Sequence, residues 1–123
     1  MNILVADDED LIRRALARAF QAKSHTVFSA ENGVVALKFL QSEKIDMVVL
    51  DLLMPEKNGF DVLAEMSKII PVVVISAFSG TGVDHFHSDE YPNVLGFIKK
   101  PFEHLTIVTE NIENLYANYI RKI

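Results

Sequence analysis

The stretch VVLDLLMPEKNG, residues 48–59, decides how the rest of the chain is interpreted. Three apolar residues, Val48, Val49 and Leu50, lead directly into a single carboxylate, Asp51. Such a run indicates a strand that is buried on both faces, and a charge at its end is costly unless another group offsets it. The sequence therefore predicts a chemical role for Asp51, with the offsetting groups supplied by other parts of the chain.

The composition excludes several classes of protein. A chain of 123 residues with a hydrophobic fraction of 50% is long enough for one compact domain and too apolar for disorder. It has no cysteine for disulfides or thiolate metal sites, and its net charge of −5 provides no basic surface for nucleic acid. The longest apolar stretch, Ile69–Phe78, is too short to span a membrane. No signal peptide is evident, so we expect a cytoplasmic protein without nucleic-acid or membrane partners.

Two hydrophobic periodicities alternate along the chain. Short apolar or β-branched runs predict five strands, at Ile3–Ala6, Thr26–Ser29, Ile45–Leu50, Pro71–Ala77 and Val94–Ile98. Between and after them, helical spacing relates Leu11, Ile12, Leu16 and Phe20, then Val35 and Leu40, then Phe60, Leu63, Met66 and Ile70, and finally Leu105, Val108, Ile112, Leu115 and Tyr119. This alternation predicts one α/β domain, residues 1–123, with a doubly wound parallel sheet covered by helices on both faces.

The crossover before the fifth strand departs from this pattern. Residues Ser79–Pro92 have the sequence SGTGVDHFHSDEYP, with two glycines and little helical periodicity. Because parallel strands are usually joined through a helix, we expect a short or irregular fourth helix around Val83–Glu90. His85 and His87 do not have the spacing of a helical metal-ligand pair, which favours a solvated loop.

Polar side chains follow the predicted strands where each one ends. The first strand is followed by Asp7 and Asp8, the third by Asp51, the fourth contains Ser76 near its end, and the fifth leads into Lys100. Open parallel sheets bind ligands outside the carboxyl ends of their strands. If the first and third strands are neighbours, three carboxylates therefore meet in one shallow pocket, with a hydroxyl and an ammonium group on its far side.

This set of groups suits phosphoryl transfer. Three close carboxylates repel one another unless a cation neutralises them, and Mg²⁺ prefers carboxylate oxygens while keeping several waters. A carboxylate can then act as a nucleophile toward phosphorus and form an aspartyl phosphate. Lys100 would neutralise the charge on the transferred group, and Ser76 would donate a hydrogen bond to it. This chemistry explains why the chain places Asp51 at the end of a buried strand.

Five segments of the chain together resemble a known family. ILVADDE, AENGVVALKFL, DMVVLDLLMPEKNGFDVL, VVVISA and FIKKPF follow one another as the signatures of the CheY-like receiver domain of two-component response regulators. Each segment is weak alone, but the ordered set is specific and covers nearly the whole chain. The resemblance implies a flavodoxin-like fold with strand order 2-1-3-4-5.

The resemblance also implies the metal and phosphoryl sites. Asp51 would accept the phosphoryl group and bind Mg²⁺ or Mn²⁺. Asp8 would bind the ion directly and Asp7 mainly through water. The backbone carbonyl of Leu53 would supply a further ligand.

The remaining matched positions concern phosphoryl binding and switching. Ser76 and Lys100 would bind the phosphoryl oxygens, and Phe97 occupies the position of the aromatic switch residue. The switch residue turns inward when the Ser76 hydroxyl moves toward the phosphoryl group. Pro101 would be preceded by a cis peptide bond.

Two positions near the expected phosphoryl group are apolar in this chain. Leu53 lies two residues after Asp51, and Phe78 lies two residues after Ser76. In the family these positions vary and control how water reaches the phosphoryl group. Because two bulky apolar side chains orient water poorly, we expect slow autodephosphorylation.

The implied partners are proteins. A sensor histidine kinase or a histidine phosphotransfer protein would donate the phosphoryl group, and an output domain or a protein partner would respond to the switched surface. The last predicted helix, with Tyr116, Tyr119 and Ile120 near its end, is a candidate face for a homodimer or a partner. The chain would not be a free-standing enzyme, because its chemistry is limited to its own phosphorylation and dephosphorylation.

Three alternatives differ in their chemistry. A receiver-like interaction module would bind partners without phosphorylation, and the unusual Ser79–Pro92 segment keeps this alternative open. A phosphatase of the haloacid dehalogenase type would need an aspartate at the position of Leu53. A flavodoxin-like FMN carrier would need a phosphate-binding loop after the first strand, where this chain has acids instead.

Overall fold

The computed structural model of the protein describes residues 1–77, 91–102 and 104–123. Five parallel strands form one sheet: β1 (Asn2–Ala6), β2 (Thr26–Ala30), β3 (Met47–Asp51), β4 (Val72–Ser76) and β5 (Val94–Lys99). The described helices are α1 (Asp10–Gln21), α2 (Gly33–Ser42), α3 (Gly59–Glu65) and α4 (Leu105–Lys122). The strand order, β2-β1-β3-β4-β5, confirms the prediction of a doubly wound sheet. None of the described helices is long and apolar enough to cross a membrane.

The apolar runs of the central strands supply both faces of the sheet. In β3, Val48 and Leu50 pack in the cluster on the α2 and α3 side, whereas Met47 and Val49 pack in the cluster with residues of α1 and α4. Every residue of β3 and β4 is buried. Side chains of a strand alternate between faces, so a continuous apolar run is what two covered faces require.

Two expectations about the helices were wrong. α3 ends at Glu65, because Met66 has extended backbone angles (φ −67°, ψ 128°), although the apolar spacing predicted a helix that reached Ile70. Ile70 precedes a proline, which disfavours helical backbone, and it packs in the core without being helical. Leu11, predicted on the apolar face of α1, is 83% exposed, because its helical position lies about 100° around the axis from Ile12.

The expected short helix around Val83–Glu90 lies outside the described residues, as do His85 and His87. The strands on either side of this crossover are described. β4 pairs with β5 in parallel, with a register shift between Val72 and Val73. The position of β5 at the edge of the sheet is therefore established by its pairing with β4.

The segment after β3 is held close to the strand by Gly59. The Gly59 N–H group donates to the Leu52 carbonyl oxygen at 2.9 Å. A Cβ atom at this position would lie 2.5 Å from the Asp51 carbonyl oxygen and 2.8 Å from the Leu52 Cα atom. Asn58 caps α3 through its side chain and shares a capping box with Asp61. Only glycine lets α3 begin this close to the end of β3.

We predict that Gly59→Ala lowers the free energy of unfolding by about 2–3 kcal/mol, because backbone atoms on both sides would have to move. Gly96→Ala is the matched control, since its Cβ atom would meet only the end of the Leu115 side chain, at 2.9 Å. That change should cost less than about 1 kcal/mol. Urea unfolding followed by circular dichroism measures both values, and equal losses in the two variants would contradict the prediction.

Candidate functional site

The register of the sheet aligns the predicted site residues along its carboxyl edge. Ala6 pairs with Leu50, so Asp7 and Asp51 are the next residues of two neighbouring strands. On the other side of β3, Asp51 pairs with Ile75, and Ser76 pairs with Lys99. The ends of β1, β3, β4 and β5 therefore form a continuous row, in the order that the resemblance implied.

Three carboxylates meet at this edge. Asp7, Asp8 and Asp51 each have a carboxylate oxygen within 4.8 Å of the oxygens of the other two. Asp7 is fully buried and Asp51 is only 3% exposed, whereas Asp8 is exposed to solvent. The structure thus brings the predicted metal-binding carboxylates together, with one of them open to the surface.

Lys100 reaches this cluster from the end of β5. Its Nζ atom lies 2.7 Å from Asp7 Oδ2, 2.8 Å from Glu9 Oε1 and 3.3 Å from Asp51 Oδ2. The Lys100 backbone N–H donates to the Ser76 carbonyl oxygen at 2.9 Å. Lys100 is buried as well, so its ion pairs form away from bulk water, where they are stronger.

The peptide bond between Lys100 and Pro101 is cis, as the resemblance implied. Pro101 itself is exposed, and Phe102 packs against the core cluster on the α1 and α4 side. Lys100 directly follows β5, and α4 begins at Leu105.

The backbone of Leu53 lies beside the Asp51 carboxylate. The Leu53 N–H group donates to Asp51 Oδ1 at 3.3 Å. The Leu53 side chain is 49% exposed, so an apolar group lies at the surface next to the carboxylate. Phe78, the second apolar residue expected near the phosphoryl group, lies outside the described residues.

The two predicted switch residues lie on neighbouring strands. Ser76 is fully buried at the end of β4. Phe97 pairs in register with Val74, is partly buried and packs against the core cluster on the α2 and α3 side. Val74, the partner of Phe97, is two residues before Ser76 in β4, so only Ile75 lies between the two levels of the strand pair.

The electrostatics of the site raise the pKa values of its buried acids. Burial, and then the charge of Asp7, raise the pKa of Asp51 to about 6, although Lys100 acts in the opposite direction. Burial also raises the pKa of Asp7. Burial would lower the pKa of Lys100, but its close contacts with the carboxylates of Asp7 and Glu9 outweigh this effect and raise it, so Lys100 stays charged.

The donor set fits a hard divalent cation. Asp7, Asp8 and Asp51 supply three carboxylates within reach of one ion. Among the described residues, Lys100 is the only cationic side chain that forms an ion pair with any of them. Asp7 Oδ2 is buried and has no hydrogen bond of normal geometry within the described residues, although Lys100 lies at ion-pair distance. Carboxylate oxygens in excess of positive charge are what Mg²⁺ or Mn²⁺ binds.

Sequence reasoning assigned no role in this site to Glu9 or Arg13. The Glu9 carboxylate contacts Lys100, and the backbone N–H group of Glu9 donates to Asp7 Oδ1 at 2.8 Å. Arg13 donates to the Asp7 carbonyl oxygen at 2.9 Å and pairs with Asp10. An acid directly after Asp7 and Asp8 was the available signal, but a helix N-terminus also favours negative charge, so the pattern alone did not distinguish the two roles.

Comparison with known proteins identifies the family. The family model described as the response regulator receiver domain matches residues 3–111. Response regulator RR06 of Streptococcus pneumoniae is 37% identical over 121 residues, which cover 97% of this chain and 54% of RR06. Sensor kinase CckA of Brucella abortus is 35% identical over 104 residues, which cover 82% of this chain and 11% of CckA. The chain thus spans about half the length of RR06 and about a tenth of that of CckA.

Solved structures agree with this assignment. Response regulator protein TrrA from Thermotoga maritima, in complex with Mg(2+)-BeF, superposes with a TM-score of 0.75 at 31% identity and covers 93% of this chain and 97% of its own. A CheY-like receiver domain protein from Methanospirillum hungatei JF-1 has a TM-score of 0.85 at 16% identity, with 99% of this chain and 98% of its own covered, and shows the same fold. The family match over residues 3–111 and the row of acids at the carboxyl edge together lead to one conclusion: the chain belongs to the response regulator receiver domain family of two-component systems.

Proposed function

We propose that the chain is a phosphoacceptor receiver domain, comprising residues 1–123, in which Asp51 accepts a phosphoryl group. The observation that carries this proposal is the environment of Asp51. Its carboxylate is buried beside Asp7 and Lys100 at the end of a wholly apolar strand. Packing alone does not require an acid there, and a buried acid with a perturbed pKa is a candidate for a chemical role.

The proposed reaction is a displacement at phosphorus. One carboxylate oxygen of Asp51 forms a bond to the phosphorus of a phosphohistidine, and the phosphorus–nitrogen bond breaks. The electron pair of that bond stays on the imidazole nitrogen of the donor, which then takes up a proton. The product is an aspartyl phosphate, which carries about −1.5 to −2 charges.

Asp7, Asp8 and Asp51 would hold a divalent cation, Mg²⁺ or Mn²⁺, with the Leu53 carbonyl as the expected further ligand. When bound, the ion neutralises the carboxylates and the phosphoryl oxygens. The three carboxylates within 4.8 Å of one another support this assignment. The metal bound by TrrA, which is 31% identical, supports the choice of Mg²⁺.

Lys100 and Ser76 are the proposed partners of the phosphoryl oxygens. Lys100 lies 3.3 Å from Asp51 and needs to move little to neutralise the added charge. The Ser76 hydroxyl would donate to a phosphoryl oxygen, and Phe97 would change its packing when Ser76 moves. The population of the switched state would rise because only that state gains these contacts.

The proposed partners follow from this chemistry. A sensor histidine kinase or histidine phosphotransfer protein donates the phosphoryl group, and a cytoplasmic location is proposed with it. Because RR06 extends well beyond the matched region, an output domain or a separate protein is the proposed recipient of the signal. The exposed part of α4, including Ile120, remains a candidate face for a partner or a homodimer.

Intact mass after incubation with acetyl phosphate tests the proposal directly. We expect the wild type to gain one phosphoryl group with Mg²⁺ and none with EDTA. Asp51→Asn should gain none, because the amide is not a nucleophile toward phosphorus. Absence of a gain in every condition would contradict the proposal and favour a module that acts without phosphorylation.

The raised pKa of Asp51 predicts how metal-free stability depends on pH. The folded chain holds a proton on Asp51 up to about pH 6, whereas the unfolded chain releases it near the ordinary value of 3.8. Stability of the wild type therefore falls as pH rises through this interval. In EDTA at pH 7.5, we expect Asp51→Asn to be more stable than the wild type by about 1–2 kcal/mol, and the difference should vanish near pH 4.

Urea unfolding at a series of pH values measures this difference. Glu110→Gln is the matched control, because Glu110 is exposed on α4 and does not belong to the cluster of acids around Asp51. Saturating Mg²⁺ should raise the stability of the wild type more than that of Asp51→Asn. A constant difference between Asp51→Asn and the wild type from pH 4 to pH 8 would contradict the prediction.

The exposed Leu53 side chain predicts a long-lived phosphoryl group. We expect Leu53→Asn to shorten the half-life on the order of tenfold, because an amide can orient the attacking water. The effect should be smaller than that of a general base, because an amide does not take up the proton. Leu53→Met is the matched control and should leave the half-life nearly unchanged. Loss of the phosphoryl mass with time measures both, and decay of the wild type within seconds would contradict the prediction.

A further inference from the structure

Three carboxylate oxygens already lie within 3.3 Å of the Lys100 ammonium group, at Asp7, Glu9 and Asp51. An ammonium group has three N–H donors. Lys100 donates hydrogen bonds to Glu9 and Asp51, whereas Asp7 Oδ2 lies at ion-pair distance without a hydrogen bond of normal geometry. A phosphoryl oxygen that binds Lys100 therefore competes with these carboxylates for the ammonium group. Which carboxylate withdraws decides how easily the phosphoryl group is accommodated, and this inference rests on the proposed function.

Two of the three carboxylates are poorly able to withdraw. Asp7 is fully buried, and its other oxygen accepts the Glu9 N–H group at 2.8 Å. Asp51 carries the phosphoryl group and stays in place with it. Both would also be engaged by the cation.

Glu9 has the opposite character. Its side chain is 57% exposed, and it does not belong to the group of three carboxylates that lie within 4.8 Å of one another. Its contact with Lys100, at 2.8 Å, is nevertheless shorter than the contact between Lys100 and Asp51. Its carboxylate can turn into water at little cost, since an exposed ion pair contributes little free energy.

We propose that Glu9 is a positioning residue that occupies Lys100 in the resting state and is displaced by the incoming phosphoryl oxygen. Glu9 holds the ammonium group at the mouth of the site, and the phosphoryl oxygen takes over the same donor. The exchange conserves charge at Lys100, because one anionic oxygen replaces another. Glu9 therefore sets the affinity of the site for a phosphoryl group without touching that group or the cation.

The affinity for beryllofluoride at saturating Mg²⁺, measured by ¹⁹F NMR, tests the proposal. This anion forms an aspartyl phosphate analogue without a chemical step, so it reports binding alone. We expect Glu9→Gln to lower the dissociation constant about twofold to fivefold, the range that corresponds to a partly exposed ion pair. Phosphorylation by acetyl phosphate should accelerate by a similar factor.

Two further variants separate contact from charge. Glu9→Asp keeps the charge but is one methylene shorter, so it should lose the contact with Lys100 and also bind beryllofluoride more tightly than the wild type. Asp10→Asn removes a neighbouring charge that pairs with Arg13 and Arg14 instead of Lys100, and it should leave the affinity unchanged. Since Glu9 is exposed, none of these changes should prevent folding.

Three results would overturn the inference: unchanged affinity in Glu9→Gln, wild-type affinity in Glu9→Asp, or an effect of Asp10→Asn equal to that of Glu9→Gln. The last two results would mean that Glu9 acts only through its charge. Failure of the proposed function would differ from all three, because then the wild type would bind no beryllofluoride even at saturating Mg²⁺.

Discussion

The ion pairs of Lys100 with Asp7 and Asp51 are the interaction on which the site depends. They join the ends of β1, β3 and β5, which are distant in sequence and meet only at the carboxyl edge of the sheet. A single buried ammonium group lets two carboxylates remain close to each other without a metal ion. Removal of Lys100 would leave these two buried carboxylates without a compensating charge, which is strongly destabilising.

The charged groups of this site lower the stability of the folded state, and the apolar core offsets that loss. Asp51 is held in a place where burial and a neighbouring acid favour its neutral form, so the site opposes folding at neutral pH in the absence of a cation. The core compensates through β3 and β4, whose residues are buried at every position and pack on both sides of the sheet. Functional sites often contain arrangements that are unfavourable for folding. They persist because the surrounding structure is stable enough to maintain them.

The segment that follows β3 is fixed from two sides. Gly59 allows α3 to begin against the backbone of Asp51 and Leu52, and the Gly33 N–H group at the start of α2 donates to the Lys57 carbonyl oxygen at 2.9 Å. The backbone of Leu53 is thereby kept beside the Asp51 carboxylate. These contacts matter for the site because a metal-binding or phosphoryl-binding group has to be held in position before its ligand arrives.

The sequence by itself determined where the strands lie in the chain and that their carboxyl ends share one edge of the sheet. It also determined which acids, together with Lys100, follow those ends. These features follow from local patterns, since a continuous apolar run specifies a strand with two covered faces and the residue after it lies at the sheet edge. The sequence was less informative about helix boundaries and about which apolar residues of a helix are buried. Ile70 is spaced like a helical residue but packs in the core from an extended segment, and Leu11 is apolar but exposed.

Only the tertiary structure decided how the charges share their partners. The pairing register placed Asp7 next to Asp51, and the turn after β5 brought Lys100 closer to Asp7 and Glu9 than to Asp51. No local pattern contains that information, because Glu9 and Lys100 are 91 residues apart and their contact depends on the order of the strands and the path of one loop. The sequence supplies the charged groups of this site, and the topology of the sheet determines which of them meet.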